Sequence, residues 1–191
     1  MGLRALKCSI CHTRKIPLRD IFLAKIPALG KGSWPLMPEQ MLAELQAIIE
    51  SEIPMCAHMG IHVHSYNNHG LTMRAPLEQN YNHQATAFAG SLNALCTVAG
   101  WGNVFLLTRK HELAGDIVIR RSAIKYLKPV ACPQIIACCK HVGEQECLHF
   151  VEMFKDKGQA KIDLRVEIAC ESETAVTFSG CYVLLGRSAL T

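Results

Sequence analysis

This sequence of 191 residues has few acidic residues near its start and no charge in one long internal stretch. No Asp or Glu precedes Asp20, whereas five basic residues do, so the formal net charge of +4 originates at the start of the chain. The residues from Asp20 onward include 15 basic and 16 acidic ones. A body with this balance lacks the basic surface that is typical of nucleic-acid binding, so we expect no nucleic-acid partner.

The N-terminus also lacks the apolar stretch of about 7 to 15 residues that a secretory signal peptide requires. We therefore interpret the ten cysteines as reduced. Four of them, Cys138, Cys139, Cys170 and Cys181, lie in apolar runs, where free cysteine packs as a small hydrophobic side chain. We expect a cytoplasmic location, and the basic, acid-poor start leaves the mitochondrial matrix as the alternative.

Residues 1–36 show no periodicity that would bury one face, and several prolines and glycines interrupt their second half. We interpret them as a basic N-terminal arm, either flexible or targeting, and residues 37–191 as one domain. Within the arm, Cys8, Cys11 and His12 match the haem c attachment pattern, but that chemistry also requires export. As a zinc half-site the pattern lacks a second pair of ligands, so we interpret it as a chance match.

The apolar periodicity of residues 37–191 predicts an order of elements. A helix starts at Met37 and is ended by Pro54, and a hairpin turns at residues 67–70. A long helix over residues 90–111 is stopped by Gly115. Strands follow over residues 117–129, 134–142, 161–170 and 174–185, with a short amphipathic helix ending at Gly158 before the third of them. His62 and His64 lie two apart on the hairpin, but no third ligand is suitably spaced, so we expect no metal site.

The most unusual stretch is residues 79–108, which contain no Asp, Glu, Lys or Arg. Such a segment is either buried in the protein or placed in a membrane. Ser91, Asn93, Thr97 and Asn103 interrupt its apolar part, and no run of 18 apolar residues remains, so we expect no membrane span. A helix that is apolar on nearly every side must be enclosed. The sequence therefore predicts an α+β fold with an antiparallel sheet wrapped around one long central helix.

Two motifs carry a resemblance to a known family. The first is Asn80-Tyr81-Asn82-His83-Gln84-Ala85-Thr86-Ala87-Phe88-Ala89-Gly90-Ser91-Leu92, and the second is Ile124-Lys125-Tyr126-Leu127-Lys128-Pro129-Val130. They resemble the loop into the central helix, and the strand after it, of hotdog-fold thioesterases and dehydratases. Ala75-Pro76-Leu77 and Gly100-Trp101-Gly102 are similar, more narrowly, to the thioesterase domain of the YiiD C-terminal type. The resemblance covers about residues 38–187.

The resemblance implies a hotdog fold, an acyl-CoA or acyl-ACP thioester as substrate, and no further cofactor. It implies a homodimer, or a dimer of dimers, that pairs through sheet edges and builds each site from two protomers. One edge strand lacks any charged or proline guard that we can recognise in the sequence. Three positions depart from the family: Ala85 and Ala89 stand where relatives usually have glycine, and Thr97 stands where many relatives have an acid.

Thioester hydrolysis needs a group that polarises the carbonyl and a group that orients or deprotonates water. The free N–H groups at the start of the central helix, around Gly90 and Ser91, are suited to the first task. For the second, His83 is the candidate general base, and Asn82 and Thr97 could hold water. Candidate substrate-binding residues are Phe88, Trp101, Arg120, Arg121 and Lys128, the last three as partners for CoA phosphates.

The sequence thus predicts an intracellular thioesterase of fatty acid metabolism that hydrolyses an acyl thioester. Because Thr97 replaces the expected acid, a non-catalytic acyl-CoA-binding protein is the alternative from another class. A hydratase or dehydratase on the same fold is a third possibility, since such an enzyme could use His83.

Overall fold

The computed structural model describes residues 38–186, so the arm, the Cys8 to His12 pattern and the last five residues lie outside the described part. The helices are α1 (Pro38–Ser51), α2 (Pro54–His58), α3 (Ala89–Lys110) and α4 (Glu144–Lys157). The strands are β1 (His62–Asn67), β2 (Gly70–Pro76), β3 (Asp116–Tyr126), β4 (Gln134–Lys140), β5 (Gln159–Cys170) and β6 (Glu173–Leu185). This is the α+β order that the sequence predicts.

The six strands form one antiparallel sheet in the order β1-β2-β4-β5-β6-β3. Its two faces differ because apolar and polar residues alternate along the strands. In β5, Ile162, Leu164, Val166 and Ile168 are buried, and the residues between them are mostly exposed. The buried face of the sheet therefore receives a helix, and the other face meets solvent.

Helix α3 lies against that buried face and contacts β2, β3, β4, β5 and β6. Gly100 permits part of this close approach, because a Cβ there would collide with the ring of Tyr182, which is fully buried on β6. The Tyr182 hydroxyl donates a hydrogen bond to the Thr97 carbonyl at 2.9 Å. The prediction of an enclosed central helix is confirmed: α3 is long and apolar enough to cross a membrane, but 61 % of its most apolar 18 residues are buried inside the protein. Its only charged residues, Arg109 and Lys110, lie in the last turn.

One stripe along α3 is not covered by the sheet. Ala94, Thr97, Val98 and Trp101 are all half-buried and recur at helical spacing on one side of the helix. The stripe continues at its N-terminal end to the exposed Gly90. We call these five residues the open face of α3.

The two edges of the sheet are protected in different ways. At β1, the Val63 N–H donates to the side chain of Gln46 on α1 at 2.7 Å. At β3, Arg120, Arg121 and Lys125 are exposed, and the pairing with β6 is irregular between Ile119 and Arg121. Charge and β-bulges are common protections of edge strands. The expectation of an unguarded edge is therefore wrong for β3, because its basic residues lie on the edge itself.

The structure corrects three local expectations. Helix α1 ends at Ser51, and Pro54 begins α2 instead of ending α1, since proline fits the first turn of a helix. Helix α3 ends at Lys110, before Gly115, which lies buried directly before β3. Cys170 is not a free thiol: it forms a disulfide with Cys132, 38 residues earlier in the chain. Cys138, Cys139 and Cys181 are free, as expected.

Candidate active site

The loop that leads into α3, residues 80–88, is anchored by Asn80. This side chain is 2 % exposed, and its Nδ2 donates to the carbonyls of Met59 and Pro76, each at 2.8 Å. The Asn80 backbone carbonyl accepts the Phe88 N–H at 2.7 Å, which closes the base of the loop. Sequence reasoning missed Asn80, because nothing in the pattern separates a buried anchoring Asn from its neighbour Asn82.

The tip of the loop is organised by Asn82. Its Oδ1 accepts the N–H groups of Gln84 at 2.8 Å and Thr86 at 3.3 Å, and its Nδ2 donates to the Thr86 hydroxyl at 3.1 Å. Ala85, inside this turn, has a φ of 59°, a conformation that favours glycine. The Asn82 carboxamide is thus engaged in holding the loop, a role that the sequence did not indicate.

Helix α3 begins without a side-chain cap. Its first helical hydrogen bond runs from the Leu92 N–H to the Phe88 carbonyl at 3.0 Å, and no side chain caps the N-terminus. The N–H groups of Ala89, Gly90 and Ser91 therefore have no helical acceptor. Gly90 is exposed and Ser91 half-buried. Together with the positive end of the helix dipole, these groups can stabilise negative charge on an oxygen atom placed beside them.

Two further predicted residues lie at this end of α3. His83 is an exposed residue of the same loop, and Phe88, directly before the helix, is 55 % exposed. The hydroxyl of Tyr126, at the end of β3, donates to the Ala89 carbonyl at 3.1 Å and ties the helix start to the sheet. Asn82, His83, Phe88, Gly90 and Ser91 therefore lie on one continuous segment, with His83 at the tip of the loop and Phe88, Gly90 and Ser91 at its junction with α3.

The remaining predicted residues on α3 lie farther along its open face. Thr97 is seven residues beyond Gly90, which corresponds to about 10 Å of helix, and Trp101 is a further turn away. Trp101 stacks on Phe105 with ring centroids 5.6 Å apart. Within one chain, Thr97 thus shares a helix face with Gly90 without lying at the helix start.

The basic residues are divided between two places. Lys128 follows Tyr126 by two residues, so it lies at the same end of the sheet as the start of α3, where it forms an ion pair with Glu173. Arg121 pairs with Asp163 at 3.5 Å on the exposed face of the sheet. Arg120 and Arg121 precede Tyr126 by six and five residues, which corresponds to about 17 to 20 Å along a strand. The structure therefore does not bring all three basic residues together.

An open groove of about 590 Å³ runs beside the loop. Residues of two segments line it: Pro76, Leu77, Glu78, Tyr81 and Ala85 from one, and Ala131, Pro133 and Gln134 from the other. Within residues 38–186, no group of three or more His, Cys, Asp or Glu side chains is arranged to hold a metal ion.

A sheet of this order around a central helix, with a loop entering an uncapped helix start, defines the hotdog class of thioester-binding folds. The family model described as "Putative thioesterase (yiiD_Cterm)" matches residues 42–186 of this chain. The chain therefore belongs to the YiiD C-terminal family of hotdog-fold thioesterases, and the resemblance found in the sequence is confirmed.

Solved structures agree with this assignment. A protein of unknown function from Chlorobaculum tepidum is 34 % identical, with a TM-score of 0.76 over 80 % of this chain and 99 % of its own. A structure described as a "putative thioesterase" from Shewanella oneidensis is 30 % identical, with a TM-score of 0.69 over 77 % of this chain and 99 % of its own. The thioesterase HI1161 from Haemophilus influenzae, at 13 % identity and a TM-score of 0.56 over 75 % of this chain and 90 % of its own, shares the fold.

Proposed function

We propose that this protein hydrolyses an acyl thioester, acyl-CoA or acyl-ACP, at the start of α3. The observation that carries the proposal is the set of free N–H groups at Ala89, Gly90 and Ser91, beside an exposed loop that contains a histidine. A thioester carbonyl seated there would develop negative charge during attack. A backbone donor at such a position contributes roughly 3 to 4 kcal/mol to the transition state.

In the proposed reaction, His83 takes a proton from water as the water oxygen attacks the thioester carbonyl carbon. The tetrahedral oxyanion accepts hydrogen bonds from the Gly90 and Ser91 N–H groups. When the C–S bond breaks, His83 returns the proton to the departing thiolate sulfur, and a carboxylic acid and a thiol leave. Asn82 maintains the loop that carries His83, as its hydrogen bonds to Gln84 and Thr86 support. The scheme uses only water and protein groups, so we propose no cofactor.

For the substrate, we propose that Phe88 and Trp101 contact the acyl group, since Phe88 is exposed directly before α3 and Trp101 lies on the open face of the helix. Lys128 is the best placed of the three basic residues to meet a phosphate, because it lies at the same end of the sheet as the helix start. Arg120 and Arg121 would reach the same ligand only from a second protomer.

We also propose that the protein is a homodimer, or a dimer of dimers, built through the open face of α3 and the exposed apolar side chains around it. The supporting observations are the uncharged open face and the exposed apolar side chains around it, Phe88, Ile119 and Tyr126. Apolar patches of this kind usually mark interfaces. An antiparallel pairing of two α3 helices about Ala94 would set Ser91 beside Thr97 of the partner subunit, which would complete the site.

One observation favours a second function, that of a non-catalytic acyl-CoA-binding protein. No carboxylate lies on α3, so this helix offers no group that could deprotonate water in the way that a carboxylate at the position of Thr97 could.

A panel of acyl-CoA and acyl-ACP thioesters of different chain lengths separates the two functions. Release of free thiol is followed spectroscopically, and binding is measured calorimetrically on the same samples. We expect turnover of at least one thioester. Saturable binding of acyl-CoA without thiol release would favour the binding protein and contradict the enzyme.

A further inference from the structure

A disulfide lies at the rim of the candidate site. Cys132 belongs to the connection between β3 and β4, residues 127–133, and Cys170 is the last residue of β5. Their Cα atoms are 6.0 Å apart, within the normal range for a disulfide. The bond therefore joins two segments that are distant in sequence.

The connection 127–133 supports the site loop through its backbone. The Val130 carbonyl accepts the Ala87 N–H at 2.7 Å, and the Pro133 carbonyl accepts the Leu77 N–H at 2.9 Å. Ala131 and Pro133, on either side of Cys132, line the groove beside the loop. Cys132 thus lies between the two carbonyls that accept these hydrogen bonds and between two residues of the groove wall.

Noncovalent contacts hold the other end of this connection. The Leu127 and Lys128 N–H groups donate to the Ala175 carbonyl at 2.8 and 3.2 Å, and Lys128 pairs with Glu173. Next to Cys170, Glu171 and Ser172 form the β5–β6 turn with positive φ values of 53° and 65°. Such conformations cost non-glycine residues free energy and persist where surrounding contacts impose them. Without the disulfide, residues 127 and 128 would stay attached, whereas residues 130–133 would lose their covalent tie.

We propose that the Cys132–Cys170 disulfide is a reversible redox control of the candidate site. In the oxidised protein it holds the connection against the loop, and in the reduced protein the groove wall and the loop become mobile. Both cysteines are half-buried, so a small thiol can reach the bond. A dithiol gives two electrons and two protons: the S–S bond breaks, two cysteine thiols form, and the dithiol leaves as its own cyclic disulfide.

Three of the six free thiols of the described chain are poor competitors in this exchange. Burial raises the pKa of Cys56 to about 11 and the pKa values of Cys96 and Cys139 to about 12. These thiols stay protonated at neutral pH, and the thiolate is the species that attacks a disulfide. Cys138 is half-buried like the paired cysteines and is free, which makes it the matched control position.

The test is amide hydrogen exchange of Leu77 and Ala87, measured on the full chain with and without dithiothreitol. We expect reduction to speed the exchange of both amides by about tenfold or more, as local opening becomes easier. Cys132→Ser/Cys170→Ser should exchange like the reduced protein in both conditions, and Cys138→Ser should respond like the wild type. Equal exchange with and without reductant, or two alkylatable thiols at Cys132 and Cys170 in air-oxidised protein, would overturn the proposal.

The effect on activity rests on the proposed function, so thioester turnover is measured on the same samples. Turnover that falls on reduction in the wild type, and is low in Cys132→Ser/Cys170→Ser, supports redox control of catalysis. Exchange that responds to reductant in a protein without turnover would refute the proposed hydrolysis and leave the redox control of the loop intact. Equal turnover in the oxidised and the reduced protein would overturn the proposal that the disulfide controls the site.

Discussion

Asn82 and His83 are neighbours in the chain, yet their surroundings differ. The Asn82 side chain is engaged with Gln84 and Thr86, whereas His83 is exposed on the same loop. His83→Ala should lower the rate of thioester hydrolysis by about 10² to 10⁴, as expected for loss of a general base, and leave the melting temperature unchanged. Asn82→Ala should lower the rate similarly and also reduce the free energy of unfolding, by about 1 to 3 kcal/mol.

Steady-state kinetics and thermal denaturation check both variants. His149→Ala, at an exposed position on α4, is the matched control and should match the wild type in both measurements. Wild-type turnover in His83→Ala would remove the histidine from the proposed reaction.

Thr97 tests the most consequential departure from the family. Thr97→Asp should raise hydrolysis, because a carboxylate at this position could activate water. It should also lower stability, because a carboxylate on a half-buried helix face loses hydration. Thr97→Asn is the control, because the Asn side chain has nearly the shape of Asp without its charge. A folded Thr97→Asp protein that turns over no faster than Thr97→Asn would show that this position does not face the reacting thioester.

At the scale of elements, α1 is attached to α3 by an ion pair. Arg109 on α3 donates to the carboxylate of Glu44 on α1, and the Arg109 side chain is only 4 % exposed. Glu44→Ala should lower the free energy of unfolding by about 3 kcal/mol, because it leaves a buried guanidinium without a partner. Asp163→Ala, in the exposed pair with Arg121, should cost no more than about 1 kcal/mol. Urea denaturation compares the two, and equal losses would contradict this account of the α1–α3 contact.

Elements with strong periodicity could be predicted from the sequence. The alternation in β5 and the absence of charge in residues 89–108 of α3 reflect burial along the length of each element. Many residues therefore carry the same signal, and the pattern can be recognised from the sequence. The end of a helix depends on a single turn of backbone, which carries little signal in the sequence. The predicted roles of Pro54 and Gly115 as helix ends are therefore wrong. The Cys132–Cys170 disulfide depends on how the sheet brings β5 beside the β3–β4 connection, which no local pattern encodes.

Part of the candidate site could likewise be predicted from the sequence, and part could not. The family motif led to the loop and the start of α3, because a helix N-terminus always leaves free N–H groups. The roles of Asn80 and Asn82 as loop supports depend on which carbonyls and N–H groups the folded backbone places near them. The distance of Arg120 and Arg121 from Tyr126 follows from the predicted strand, but which end of β3 meets the start of α3 depends on how the helix packs on the sheet.

At the scale of the whole molecule, the open face of α3 is expected to meet a second copy. Val98→Arg would place a charge in that interface and should convert the dimer to a monomer, with little loss of stability within each chain. Leu148→Arg is the matched control, since Leu148 is a 50 % exposed apolar residue on α4, outside the open face. Light scattering at micromolar concentration gives the mass. A monomeric wild type would contradict both the dimer and a site shared by two protomers.

The central claim is that the free N–H groups at the start of α3 stabilise the oxyanion, and Gly90→Val tests it most directly. A Cβ at Gly90 would collide with the ring of Phe88, which is exposed and can move, so the fold should persist while the thioester is kept from the backbone. Gly143→Val is the control, because Gly143 precedes α4 and has open space around it. The measurement is turnover of the best thioester by both folded variants. The account predicts a loss of about 10² to 10³ or more for Gly90→Val and wild-type turnover for Gly143→Val, whereas equal turnover in the two variants would contradict it.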